Sequence, residues 1–255
     1  MRATVCELPD APGELEEAWR ALVAHCRSAR SELVLLPELP FHPWFGGAPA
    51  FDPAVWEAAV EAHARWIERL VELAPAAVLA TAPAVRGGQR VNEAFVWEAG
   101  SGYRPAHQKH HLPDEAGYFE ARWYGRGDGR FEPAEAGPAR IGFCVCTELW
   151  SLDRARAYGA AGVHLLATPR LTDRGGDRWL AGGRAAAIYA GAYSLSSNRS
   201  SATHGGMGWV VDPDGAVLAV TGPDAPFATV DVDLSMAEAA KATYPRYTFD
   251  PLPAR

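Results

Sequence analysis

Arg140-Ile-Gly-Phe-Cys-Val-Cys-Thr-Glu-Leu-Trp150 is the stretch on which the reading of this chain turns. A short apolar run ends at Cys146, and Thr147, Glu148, Leu149 and Trp150 then lead into a helical pattern carrying Ala155, Ala157 and Ala160. A strand that delivers a thiol to the start of a helix sets backbone N–H groups and the positive end of the helix dipole beside the sulfur. That setting favours thiolate and can hold a developing oxyanion, so Cys146 is a candidate nucleophile. The competing reading is a core cysteine, because free cysteine is among the most buried residue types and packs as a small hydrophobe.

The rest of the chain supplies alternating strands and helices around this segment. Residues 2–8 predict a first strand, and Asp10 with Pro12 starts a helix whose stripe is Leu15, Ala18, Trp19, Leu22, Cys26 and Ala29. Leu33-Val-Leu-Leu36, closed by Pro37, has the continuous apolar character of a strand buried on both faces, and Glu38 stands at its end. Ligands of open α/β sheets bind at strand C-termini, so Glu38 is either a solvated loop residue or the mouth of a site. The neighbouring His42-Pro-Trp44-Phe45 offers aromatic walls.

Asp52-Pro53 is an N-cap and first-turn pair, and a helical stripe from Val55 to Ala74 follows it. Ala76 to Ala80 predicts a strand, Gly87-Gly88 a turn, and residues 91–106 a hairpin. Leu112 to Pro133 reads as a long ordered excursion. Beyond it come a helix near 152–160, a strand at Val163 to Ala167, a helix from Trp179 to Tyr193 and a strand at Ala192 to Ser197. Asp212-Pro-Asp-Gly215 marks a hairpin turn, Phe227 to Val232 a last strand and Leu234 to Ala240 a short helix. Residues 241–255 are expected to form an extended tail on a single domain spanning 1–255.

Bulk properties narrow the function. A chain of 255 residues suits one α/β domain, and 48% hydrophobic with 22% charged residues is ordinary for a soluble protein. No run approaches a membrane span, and Glu7 and Pro9 interrupt any signal-peptide core, so a cytoplasmic setting is expected. Cys6, Cys26, Cys144 and Cys146 then read as reduced thiols. A formal charge of −7 disfavours nucleic acid or anionic lipid as partner, which leaves a small molecule. Arg104, His107, Lys109, His110 and His111 form a local cationic and imidazole cluster. It lacks a His-Glu-x-x-His pattern, so no metal and no other cofactor is expected. Asn198-Arg-Ser200, Arg126-Gly-Asp128 and the glycines at 125, 127 and 129 match short motifs without the context that gives those motifs meaning.

Glu38, Lys109 and Cys146 share a position at or just past the end of an apolar strand-like run. Thiol catalysis needs a base for the thiol proton, a donor for the oxyanion and a proton for the leaving group, and these residue types supply all three. The motifs Leu33-Val-Leu-Leu-Pro-Glu-Leu39, His107-Gln-Lys-His-His-Leu-Pro113 and Ile141-Gly-Phe-Cys-Val-Cys-Thr-Glu148 together resemble the nitrilase superfamily of carbon–nitrogen hydrolases, in order and separation. The likeness runs from the first strand to the Asp212-Pro-Asp-Gly215 hairpin. It implies a four-layer αββα sandwich that usually dimerises through its helical layer, Glu38 as general base, Lys109 as oxyanion-stabilising cation and Cys146, rather than Cys144, as nucleophile. Glu120 in Gly117-Tyr-Phe-Glu120 matches a second glutamate of the family.

The resemblance further implies an oxyanion site shared by Lys109 and the Thr147 backbone N–H, and an amide-type small-molecule substrate cleaved through a thioester. Trp44, Phe45, Trp150 and Arg170 are the candidate pocket residues. Relatives that cleave N-carbamoyl amino acids carry arginines where this chain has Leu149 and Trp150, and Glu7 replaces a common glutamine, so substrate choice stays open. Nitrile hydrolysis, acyl or amide-nitrogen transfer, a silent ligand-binding scaffold, and a metal-dependent hydrolase using His107, His110 and His111 are the alternatives.

Overall fold

The structure is a computed structural model that describes residues 1–249. Its seam is β1 (Arg2–Pro9). The first half of β1 pairs in parallel with β2 and antiparallel with β12, whereas Glu7, Leu8 and Pro9 pair in parallel with β9. One strand therefore serves two sheet halves.

The chain leaves β1 through α1 (Pro12–Ala29), β2 (Leu33–Leu35) and α2 (Pro53–Glu68), then forms the antiparallel run β3 (Ala77–Arg86), β4 (Gln89–Glu98) and β5 (Gly102–Gln108). A short helix α3 (Glu120–Trp123) lies in the excursion before β6 (Ala134–Ala136) and β7 (Ala139–Phe143). The second half continues with α4 (Leu152–Ala160), β8 (Leu165–Arg170), α5 (Gly176–Ala190) and β9 (Tyr193–Ser200). It closes with β10 (Trp209–Val211), β11 (Val217–Val220), β12 (Phe227–Asp231) and α6 (Leu234–Ala240). The strand order is β5-β4-β3-β2-β1-β9-β8-β7-β6, with β10 on β9 and β11 on β10.

Alternation along the strands sorts the side chains into layers. Ala3, Val5, Leu33, Leu35, Ala77 and Leu79 share one buried cluster with Ile141, Phe143, Leu165, Ala167 and Leu195 of the other half. Their neighbours Cys6, Leu8, Val34, Leu36, Val78 and Ala80 pack instead on Leu15, Trp19 and Leu22 of α1. On the far side, Gly142 lies so close to the Tyr158 ring of α4 that a Cβ would collide with it, and Gly183 of α5 abuts Trp209 in the same way. The result is the αββα order: α1 and α2, sheet, sheet, α4 and α5. Each wholly buried large side chain, such as Trp19 or Leu22, contributes roughly 1.5–3 kcal/mol.

Local signals act as their chemistry predicts. The Asp52 carboxylate caps α2 by accepting from the N–H groups of Ala54 and Val55 at 2.9 and 3.4 Å. Cys144 is a buried free thiol in the core cluster that also holds Tyr158 of α4. Some bounds differ from the sequence expectation: the helix expected to Ala74 is α-helical only to Glu68 and continues as a 3-10 turn, Arg69–Leu73, and the strand expected at Val163 to Ala167 is Leu165–Arg170. Strand β3 runs on to Arg86, because β4 pairs with it to the Gly87-Gly88 turn, where both glycines have positive φ. The segment after α6 is folded rather than extended as far as it is described: Arg246–Thr248 is a 3-10 turn. The buried Arg246 side chain donates to Ala240 O at 2.8 Å and to Asp214 Oδ1 at 2.8 Å. Residues 250–255 of the expected tail lie outside the described residues. Among the described residues, no helix is long and apolar enough to cross a membrane.

Candidate active site

Glu38, Lys109 and Cys146 stand at the ends of strands from both sheet halves, and backbone bonds tie these ends together. The Glu38 N–H donates to Arg170 O of β8 at 3.1 Å, and the Lys109 N–H donates to Asn92 O of β4 at 2.9 Å. The Cys144 N–H donates to Ala167 O of β8 at 2.9 Å, which fixes the last extended residues before Cys146.

The three side chains and Glu120 are almost wholly buried. Lys109 Nζ donates to Glu38 Oε1 at 2.7 Å, to Glu120 Oε1 at 2.9 Å, and lies 2.7 Å from Glu120 Oε2. Asn92 Nδ2 donates to the same Glu38 Oε1 at 2.7 Å, and Tyr124 OH donates to Glu120 Oε2 at 2.5 Å. Glu38 Oε1 is thus occupied twice, whereas Glu38 Oε2 is buried and accepts from nothing among the described residues. A buried carboxylate oxygen without a hydrogen-bond partner is uncommon in folded proteins.

Charge follows from the same packing. Burial opposes the Lys109 ammonium, but Glu120 and Glu38 outweigh it and hold its pKa above the usual lysine value. Burial, together with the Glu38 charge and against the pull of Lys109, pushes the Glu120 carboxyl up to about 7. Burial and the Glu38 and Glu120 charges push the Cys146 thiol up to about 12, against Lys109. This corrects the expectation of a thiolate stabilised by a helix end. The element that follows is a single 3-10 turn, Cys146–Trp150, which separates Cys146 from α4. Burial and the two carboxylates thus disfavour the thiolate at this position.

Cys146 has φ +50°, the left-handed region that costs a side-chain-bearing residue roughly 1–2 kcal/mol. Such strain clusters at functional sites. Its Sγ lies 3.7 Å from Leu171 O. Thr147 is the next residue of the turn, and the first N–H groups of a helical turn have no partner within it. A cavity of about 90 Å³ reaches Cys146, Thr147 and Glu120 and is walled by Tyr118, Leu171, Thr172 and Trp179. Its size suits a short ligand. A larger cavity of about 590 Å³ lies against Arg27 and Arg30 near the end of α1 and touches none of these groups.

The proposed pocket residues fare differently from the reactive set. Trp44 and Phe45 line a separate groove with Phe51 and Trp123, and Phe45 is core. Trp44 reaches the reactive cavity only indirectly: its Nε1 donates to Gly117 O at 2.9 Å, and its ring lies 6.4 Å from that of Tyr118. Trp150 is 43% exposed and packs on the outer side of Trp179, ring centroids 5.2 Å apart, so the wall is Trp179. Arg170 is neither at the surface nor on the cavity lining. It is buried, and its guanidinium donates to Ser196 Oγ at 2.7 Å, Thr172 Oγ1 at 2.9 Å and Met207 O. Glu7 is likewise buried, accepting from the Met207 N–H at 2.9 Å and Thr221 Oγ1 at 2.7 Å.

The imidazoles diverge. His107 engages Glu148, His110 Nδ1 pairs with Gly127 O at 2.7 Å, and His111 Nδ1 pairs with Ser151 Oγ at 2.8 Å. Among the described residues no three His, Cys, Asp or Glu side chains gather as metal ligands. Glu148 entered the sequence reading only as the acid of the Cys146-Thr-Glu148 motif, with no role of its own. It accepts from the N–H groups of His110 at 2.7 Å and Val145 at 2.9 Å as well as from His107. Asn92, Tyr124, Tyr118, Thr172 and Trp179 were also missed, and no spacing rule marks them.

A buried carboxylate, ammonium and thiol thus converge at the strand ends. The carbon-nitrogen hydrolase family profile matches residues 2–242, and the chain belongs to that family. A carbon-nitrogen hydrolase from Helicobacter pylori is similar in fold, with a TM-score of 0.84 and 22% identity over 97% of this chain and 94% of that one. So is a mutant amidase from a Nesterenkonia species that carries the acetamide moiety of fluoroacetamide on its active-site cysteine. Its TM-score is 0.76, at 19% identity over 93% of this chain and 92% of that one. An N-carbamoylputrescine amidase of Solanum lycopersicum is 33% identical over 63 residues, 25% of this chain and 21% of that protein. The aligned segment thus spans only about a fifth of that curated relative.

Proposed function

We propose that the chain is a thiol-dependent amidohydrolase that cleaves a non-peptide C–N bond of a small amide or carbamoyl compound through an acyl-cysteine. The observation that carries this reading is the division of labour on Glu38: Oε1 is held by Lys109 and Asn92, and Oε2 is left as a buried free acceptor beside a thiol too weakly acidic to ionise alone.

Glu38 Oε2 takes the Cys146 proton as the sulfur attacks the carbonyl carbon. The carbonyl oxygen becomes an oxyanion held by the Lys109 ammonium and the Thr147 N–H, in a cavity where few waters compete. Glu38 passes its proton to the nitrogen, the C–N bond breaks, and ammonia or an amine leaves a thioester on Cys146. Water then gives a proton to Glu38 and attacks the thioester, with Glu120 and Lys109 orienting it. Collapse releases the acid, and the proton returns to sulfur. Likeness to an amidase fold and to an N-carbamoylputrescine amidase segment supports the substrate class.

Intact-protein mass spectrometry of wild type and Cys146→Ala mixed with a panel of small amides and carbamoyl compounds tests the scheme. An acyl adduct in wild type, absent from the alanine variant, with ammonia or amine released, is expected. Turnover by Cys146→Ala equal to wild type would overturn it.

A further inference from the structure

Strand alternation alone would aim Glu38 away from the reactive set. Val34 and Leu36 of β2 pack toward α1, and an unbroken strand would put position 38 on that same face. The Glu38 carboxylate is instead bonded to Asn92, which alternates in phase with Ala94 and Val96 of β4, and those two face the core between the sheets. The chain therefore bends at the end of β2, and groups from both sheet halves hold the bend.

The last ladder bond of β2 runs from the Leu36 N–H to Leu79 O of β3 at 2.9 Å. One more rung would carry the Glu38 N–H to Thr81 O. That N–H goes to Arg170 O of β8 instead, and the Leu39 N–H donates to the Thr81 hydroxyl oxygen at 2.7 Å. Arg199 of β9 closes the turn: its Nε donates to Glu38 O at 3.0 Å, its Nη2 to His42 O at 2.7 Å, and its Nη1 pairs with Asp10. Thr81 and Arg199 are both buried.

Leu39 itself has φ +44°, in the left-handed region where a Cβ crowds the following carbonyl. Among the described residues only three other residues bearing a side chain do this, and one of them is Cys146. Such a conformation persists where its surroundings over-determine it. The Leu39 side chain is buried in a cluster with Phe45, Trp56, Trp123 and Tyr124, and its N–H is taken by Thr81.

We infer that Thr81 and Arg199 are positioning residues for Glu38: together they pin the Glu38–Leu39 peptide in the bend that brings the carboxylate to the inter-sheet face, beside Lys109. Lys109 and Asn92 fix how the carboxylate is rotated, whereas Thr81 and Arg199 fix the backbone from which it projects. Both act through Glu38 and not on the reacting atoms. The inference rests on the reading of Glu38 as the base, and its test follows Glu38 with and without turnover.

Thr81→Val keeps the side-chain volume but leaves the Leu39 N–H buried without an acceptor, and Thr81→Ser keeps the acceptor. A displacement of about 1 Å in a catalytic group costs on the order of a hundredfold, so Thr81→Val should lower kcat roughly tenfold or more while KM moves less than about threefold. Thr81→Ser should stay within about threefold of wild type. The readout specific to positioning is a double-mutant cycle on the pH onset of Cys146 labelling by a small neutral thiol reagent, followed by peptide mass spectrometry. Burial and then the Glu38 charge oppose the Cys146 thiolate. Displacing Glu38 in Thr81→Val should therefore bring the onset to lower pH, as Glu38→Gln does, and Thr81→Val added to Glu38→Gln should move it no further. Thermal unfolding identifies a variant that fails to fold, and Arg199→Lys, which keeps a charge beside Asp10 but loses the fork, then carries the same cycle. Equal shifts in the two backgrounds, no shift in Glu38→Gln itself, a Thr81→Ser as impaired as Thr81→Val, or wild-type kcat and onset in Thr81→Val would each overturn the positioning role. A non-additive cycle in a protein that hydrolyses no amide leaves that role standing and sinks the amidohydrolase reading, and amide hydrolysis with additive shifts does the reverse.

Discussion

His107 Nε2 and Glu148 Oε2 lie 2.9 Å apart, and through this pair the strand end that carries Lys109 is bolted to the turn that carries Cys146. Glu148 also accepts from the backbone of His110, next to Lys109, and of Val145, next to Cys146. One buried carboxylate therefore sets the spacing of two reactive groups from different sheet halves.

Glu148→Gln replaces one of these acceptor oxygens by a donor and leaves buried N–H groups unpaired. It should lower unfolding stability by about 1–3 kcal/mol and reduce kcat more than it changes KM, as read by denaturant titration and steady-state kinetics. Burial raises the Glu148 pKa, but the His107 charge and hydrogen bond and the two backbone donors outweigh it and bring it below the ordinary 4.5. Its stabilisation is therefore complete above pH 4.5 and is lost as pH falls through the lowered value. The wild type should lose more stability than the variant over that acid window. Parallel acid-unfolding curves would contradict the role.

Asn92→Ala removes one of the two donors on Glu38 Oε1 and leaves that carboxylate free to rotate about Lys109. A hydrogen bond to a charged group is worth roughly 1.5–3 kcal/mol, which corresponds to a loss of about ten- to a hundredfold in kcat/KM. An unchanged kcat/KM would show that Lys109 alone orients Glu38.

How much of this was legible depends on what kind of neighbour each residue has. Glu38 and Cys146 were readable because apolar runs and Pro37 mark strand ends, and in this architecture strand ends are where sites form. Lys109 needed the ordered set of motifs, since a lysine among histidines reads locally as loop polarity. Trp44, Phe45 and Trp150 could not be placed, because aromatic character states a need for burial and not the face on which it is met. The unforeseen 3-10 turn after Cys146 rotates Trp150 outward and leaves Trp179, from the next helix, as wall. Glu148 was legible as part of the Cys146 motif but its role was not: its partner His107 is 41 residues away in sequence, and no local pattern encodes that contact.

Gly142→Ala tests the close approach of β7 and α4, where a Cβ would come within 2.7 Å of the Tyr158 ring. Tyr158 is itself buried and bonded through its OH to Phe143 O at 3.1 Å, so it has little freedom to retreat. The substitution should cost about 1–3 kcal/mol in chemical denaturation. A neutral result would show that α4 shifts without penalty.

The pH dependence of turnover should report Glu120. Burial and the Glu38 charge raise its pKa to about 7 against the pull of Lys109, so it gains a proton in the folded state between pH 4.5 and 7. With the ionised form holding Lys109 and orienting water, kcat/KM should rise as pH increases through about 7. Glu120→Gln should remove that limb and lower kcat by roughly 10²–10⁴. An identical limb in the variant would assign it to another group.

The thiol itself separates a base-activated nucleophile from a resting thiolate. Burial and then the Glu38 charge hold Cys146 at about 12. Replacing that carboxylate by an amide removes a negative neighbour while Lys109 stays, so Glu38→Gln should move the thiol pKa downward. Labelling by a small neutral thiol reagent across a pH series should therefore show an earlier onset in Glu38→Gln than in wild type. Hydrolysis should instead fall by roughly 10²–10⁴, because no group remains to carry the proton from sulfur to the leaving nitrogen. The two readouts move in opposite directions only if Glu38 is both the charge that keeps the thiol protonated and the base that takes its proton. Parallel loss of labelling and hydrolysis would mean that Glu38 merely keeps the cavity open to the sulfur.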